Sequence, residues 1–204
     1  MALNDSRWRG AILNLRAILI LIVFLACYII FIIPFSSYGK DARITDLVIA
    51  YDASHVTVYA RAINCFTEKM ESAILAGVPT TFTFVLELYK ERKYWFDKKT
   101  AGVVIKQTIK YDNVKKLFYV TSPTASQPSH FQDFDHAKKA MAELNGVVIA
   151  SIGDLQKDNS YYIKIKAKLD TMRLPMNLEY VLFFVSLWDF ETDWYQQKLV
   201  NASW

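Results

Sequence analysis

The apolar pattern predicts an α+β protein: one N-terminal transmembrane helix, then a mainly antiparallel β domain of about eight strands covered by two helices. Three observations carry this reading. Ala17–Phe35 contains no charged residue. Thr80–Glu91 alternates with a period of two, Phe82, Phe84, Leu86 and Leu88 on one face and Thr81, Thr83, Val85, Glu87, Tyr89 and Glu91 on the other. Residues 65–76, and a second stretch running to about Leu144, instead space their apolar residues as a helix does.

At ~1.5 Å per residue, a helix over Ala17–Phe35 reaches nearly 30 Å, the depth of a bilayer's hydrocarbon core. In lipid every backbone polar group must be bonded within the segment, so a single span is helical. Pro34 falls at its far end, where a break costs little. Arg7, Arg9 and Arg16 precede the run against one acid, Asp5. The positive-inside rule therefore places residues 1–16 in the cytoplasm, 36–42 as a tether, and 43–200 as a domain on the other side. A cleaved signal peptide is the alternative, although the run is long for one and residues 32–38 make a poor cleavage site. A lipoprotein signal at Cys27 fits badly because Tyr28–Phe35 stays apolar.

After the tether, Ile44–Tyr51 and His55–Ile63 read as strands joined by the turn-rich Tyr51–Ser54. A helix over Cys65–Ala76 follows, with Asn64 as candidate N-cap and Phe66, Met70, Ala73 and Ile74 on one face. Gly77 and Pro79 stop it. Beyond the Thr80–Glu91 strand, Trp95–Lys99 reads as a connection, Gly102–Tyr111 as a strand and Lys116–Thr121 as its return. Ser122–Ser129 is a surface tip with two prolines. The second helix has two candidate caps, Asp133 and a Ser129/Gln132 capping box, and buries Phe134, Ala137, Met141 and Leu144 before Asn145-Gly146. Val147–Ile152 and Tyr161–Asp170 are strands. Leu178–Trp188 fits a buried strand or a stretch lying at the membrane, and Asp189–Lys198 is the last strand.

The net charge is +4, of which residues 1–40 carry +3, so the basicity is a topology signal and not a nucleic-acid footprint. Of two cysteines, Cys27 lies in the span and leaves Cys65 unpaired, which excludes a disulfide-built fold; Cys65 reads as a small buried hydrophobe.

Two groups of residues resemble a known family: Ala76–Phe84 (AGVPTTFTF) followed by Trp95-Phe96-Asp97, and Leu169-Asp170, Leu174-Pro175 and Val181–Tyr195 (VLFFVSLWDFETDWY). In order and spacing they resemble the bacterial family called domain of unknown function 4390, over roughly residues 43–199. The resemblance implies a Gram-negative inner-membrane protein with one N-terminal span and a periplasmic domain. It also implies a setting near membrane sensor kinases, and it supplies no catalytic residues.

No reaction is named by the remaining residues. His55, His130 and His136 lack metal-ligand spacing, no G-x-S-x-G elbow surrounds a serine, and six scattered glycines build no phosphate loop. No cofactor is expected. Asp189, Glu191 and Asp193 share a face if their segment is a strand; a solvated face paired with Lys164, Lys166 or Lys168 is favoured over a cation site. The candidate ligand or partner surface is the aromatic group Trp188, Phe190, Trp194 and Tyr195, with core packing as its default, together with Lys164, Lys166 and Lys168, which suit anionic headgroups or plain solvent. The expected role is a non-enzymatic, membrane-tethered module that binds a membrane protein such as a sensor kinase. The alternative is a carrier of lipid or another hydrophobic ligand.

Overall fold

A computed structural model describes residues 42–156, 159–170 and 190–199. All lie in one compact unit, Lys40–Trp204. The expected span at 17–35, the apolar run 178–188, Trp188 and Asp189 lie outside the described residues. Among the described residues no helix is long and apolar enough to cross a membrane.

The described residues form nine strands and two α-helices: β1 (Arg43–Tyr51), β2 (His55–Ile63), α1 (Glu68–Leu75), β3 (Thr80–Lys90), β4 (Lys98–Asp112), β5 (Leu117–Thr121), β6 (Ser129–Phe131), α2 (Phe134–Ala142), β7 (Glu143–Ser151), β8 (Tyr161–Leu169) and β9 (Tyr195–Lys198). Every pairing between these strands is antiparallel. The α+β class holds, but the layering is not one sheet covered by helices. A three-stranded sheet, β1-β2-β7, packs on a six-stranded sheet, β6-β5-β4-β3-β8-β9, and the helices cover the part of the larger sheet near β4 and β5.

Strand β3 is the hub, pairing with β4 on one side and β8 on the other. Its predicted inner face holds: Phe82, Phe84, Leu86 and Leu88 are all fully buried. Opposite Phe84 lie Ile105 and Ala167, and opposite Leu88 lies Ile163. Phe82 packs between Phe66, at 5.0 Å between ring centroids, and Phe190, at 4.8 Å edge-on. Burying such side chains contributes roughly 1.5–3 kcal/mol each before entropy is charged. The sheets are also tied by a polar link. Buried Gln107 donates from Nε2 to the Glu143 carbonyl at 2.8 Å, joining β4 to β7.

The helices begin and end where local chemistry dictates. Asn64 does not cap α1; Thr67 does, its hydroxyl accepting the Met70 N–H at 3.3 Å, while Asn64 turns the chain at φ 56°. The helix stops in a Schellman motif, with Gly77 N–H bonded to the Ile74 carbonyl and Val78 N–H to that of Ala73. Gly77 takes φ 88°, which suits a residue without Cβ. Asp133 caps α2 by accepting the His136 N–H at 2.9 Å. The rival cap, Ser129, lies instead in β6, a short strand that sequence patterning missed. Helix α2 ends at Ala142, so Leu144 is buried from strand β7, and Gly146 (φ 69°) lies within that strand and does not follow a helix.

The last strand is shorter than expected. Only Tyr195–Lys198 is regular, with a single bridge at Glu191. Between them buried Thr192 replaces the ladder: its N–H donates to the Ala167 carbonyl at 2.9 Å, and its hydroxyl accepts the Ala167 N–H at 3.0 Å.

Candidate functional site

The exposed surface concentrates unusual chemistry at the hairpin between β3 and β4. Its turn carries three consecutive aromatic residues, and they remain in solvent: Tyr94 is 86% exposed, Trp95 75% and Phe96 87%. Trp95 and Phe96 contact each other edge-on with centroids 6.4 Å apart. Large rings left outside a core when the same chain buries Phe82 and Phe84 completely are the informative kind of exposed apolar group.

The turn has no glycine or proline to set its shape, so a side chain does it. Asp97 closes the loop by accepting the Arg92 N–H on Oδ1 at 3.0 Å. Its other oxygen accepts the Tyr162 hydroxyl at 2.8 Å, which fastens the loop to β8. Tyr162 stacks on Tyr89 at 5.4 Å and 7°, and Lys164 lies over both rings at 5.6 and 5.2 Å. Below them Glu87 accepts from Tyr89 at 2.9 Å and from Lys99 at 2.5 Å. The base of the hairpin is held by Glu91 N–H to the Ser160 carbonyl, Lys198 to Glu91 at 2.8 Å, and Lys90 to Gln156 at 2.6 Å.

These contacts fix protonation states. Burial, and then the bond to Asp97, push the Tyr162 phenol up to about 12. The Tyr162 hydroxyl, and then the Arg92 N–H, hold Asp97 below its usual range. Lys99 lowers Glu87, and Glu87 raises Tyr89. The tip therefore stands on a charged and hydrogen-bonded platform that keeps its form across neutral pH.

The structure brings part of the sequence-predicted surface together, Lys166 against Trp194, while Trp188 lies outside the described residues. Phe190 is half-buried and packs edge-on against Phe82, at the margin of the core. Trp194 and Tyr195 are 41% and 42% exposed near the sheet edge. Lys166 pairs with Glu191 and lies 4.8 Å over Trp194, while Lys164 belongs to the tyrosine platform. Lys168 bridges to Glu191 through the backbone. Glu191 is thus engaged by Lys166 across the sheet, as a solvated and lysine-paired face requires, while Asp189 lies outside the described residues. Among the described residues no group of three or more His, Cys, Asp or Glu is placed to hold a metal ion.

Cys65 is buried at 2% exposure, its thiol within 3.7 Å of the Ala62 carbonyl. Burial pushes its pKa up to about 12, which leaves the thiolate scarce. Two open grooves are described. One of about 200 Å³ lies beside Arg61, Cys65, Phe66 and Lys138; one of about 350 Å³ is lined by Thr108, Lys110, Asp112 and Tyr119 among others. Sequence reading missed the tip because residues 95–99 served only as a connection. The available signal was three aromatics together in a segment that, as a loop, buries nothing.

No curated protein and no solved structure matches the chain. A family model described as Domain of unknown function (DUF4390) matches residues 39–198, and the chain belongs to that family.

Proposed function

We propose that this protein is a non-enzymatic, single-pass membrane-anchored binding module of the bacterial envelope. In this reading residues 1–16 are cytoplasmic, 17–35 span the inner membrane, and the domain acts in the periplasm as an accessory to a membrane protein such as a sensor kinase. The charge-free run Ala17–Phe35 and the arginines before it support the anchor. The observation that carries the binding role is the hairpin tip. Tyr94, Trp95 and Phe96 are exposed together on a turn braced by Asp97 and Tyr162. A rigid aromatic group loses little entropy on docking, and such rings dominate binding surfaces.

The carrier reading has less support. The space between the sheets is filled by Phe82, Phe84, Leu86, Leu88, Ile163 and Ile165, all fully buried, where a lipid tail would need a cavity.

A photo-crosslinking residue at position 95 of the full chain, in native membranes, tests the reading. Val114, 93% exposed on another hairpin turn, is the control position. Adducts at 95 and none at 114 support a docking tip. Equal yields at both positions, or none at either, contradict it.

A further inference from the structure

The hairpin tip combines apolar and cationic groups in a way that identifies a class of occupant. Residues 90–99 hold five cations, Lys90, Arg92, Lys93, Lys98 and Lys99, and two acids, Glu91 and Asp97. Both acids are engaged, Glu91 by Lys198 and Asp97 by the Tyr162 hydroxyl. Lys99 is bound to Glu87, and Lys90 to Gln156. Arg92, Lys93 and Lys98 are exposed and form no ion pair with any described residue. Three cations free of salt bridges thus lie on the same turn as three exposed rings, Lys93 being 5.4 Å over the Tyr94 ring.

Tyrosine and tryptophan partition to the headgroup level of a bilayer, and nearby lysine or arginine adds attraction to anionic headgroups. A bilayer interface accepts such rings and cations without a surface of matching shape. We propose that the tip inserts Tyr94, Trp95 and Phe96 into the interface of an anionic lipid bilayer, with Arg92, Lys93 and Lys98 meeting its headgroup charges. This rests on reading the tip as the docking surface. It makes the hairpin a second lipid contact, separate from residues 17–35. Its bracing by Asp97 means that the tip enters lipid in the form it already has in water.

The test uses the full chain carried in nanodiscs of phosphatidylcholine, mixed with separate vesicles and read by co-flotation. The expected result is flotation with vesicles containing phosphatidylglycerol and little with phosphatidylcholine alone. Trp95→Ser with Phe96→Ser, and separately Lys93→Glu with Lys98→Glu, should each weaken flotation by about tenfold or more. Val114→Ser should leave it unchanged. Equal flotation with both vesicle types, or tip variants that float like the unaltered chain, overturns the proposal. If flotation fails while position 95 still crosslinks to a polypeptide in native membranes, the lipid assignment falls and the docking tip stands. If neither occurs, both fall.

Discussion

The Tyr162 hydroxyl donates a 2.8 Å hydrogen bond to Asp97, linking the start of strand β8 to the turn that displays Trp95. Burial of this phenol, and then its bond to Asp97, give it a pH signature. Tyr162 is pushed up to about 12 from an ordinary value of 10.0, so its proton is held more tightly in the folded state than in the unfolded one. The stabilisation is fully present below about pH 10 and is lost as pH rises towards 12. Tyr162→Phe should remove this part of the alkaline loss of stability in a pH series of thermal unfolding curves. The same variant should raise amide exchange at Arg92, whose N–H bonds to the freed Asp97. A Tyr162→Phe protein with an unchanged alkaline profile would show that the phenol is not held in its neutral form by its burial and its bond to Asp97.

Phe82 touches rings from two distant parts of the chain, Phe66 before α1 and Phe190 after the undescribed segment. Phe82→Ala should therefore cost about 3–5 kcal/mol in a denaturant titration, the range for a large ring removed from a closed core. A cost below about 1 kcal/mol would mean that the inter-sheet space is not packed as described.

Gln107 is the polar exception on the inner side of β4. Its amide satisfies the Glu143 carbonyl where β7 begins. Gln107→Ala removes that donor and should destabilise by about 1–3 kcal/mol. Because the bond crosses between the sheets, protection of amides in β7 should fall more than that in β3. Uniform loss across both would argue against a local role.

How legible the fold was depended on whether burial or local chemistry decided each element. Thr80–Glu91 was readable because one face is wholly apolar, and Phe82 to Leu88 are buried as their alternation demands. The start of α1 was misplaced by three residues because Asn64 and Thr67 are both good caps, and only the packing of Phe66 and Cys65 decides between them. Strand β6 was unreadable: three residues, Ser129–Phe131, pair with β5 through backbone bonds that leave no periodic trace. The second sheet was hidden for a different reason. Strands β1, β2 and β7 have the same alternating pattern as those of the larger sheet, and nothing local says which edge a strand joins. At the candidate site the sequence points to the aromatic C-terminal part, where Phe190 is half-buried against Phe82 and Trp194 and Tyr195 are partly exposed. Trp95 and Phe96 read only as part of a connection, and Tyr94 is singled out by nothing local, because exposure is a tertiary property.

Hydroxyl-radical footprinting of the full chain, purified and in native membranes, tests the central claim most directly. If the aromatic turn is a preformed docking site, Trp95 and Phe96 should label heavily in the purified protein and be protected in membranes, while Val114 labels alike in both. Equal labelling of Trp95 in the two preparations would contradict the account.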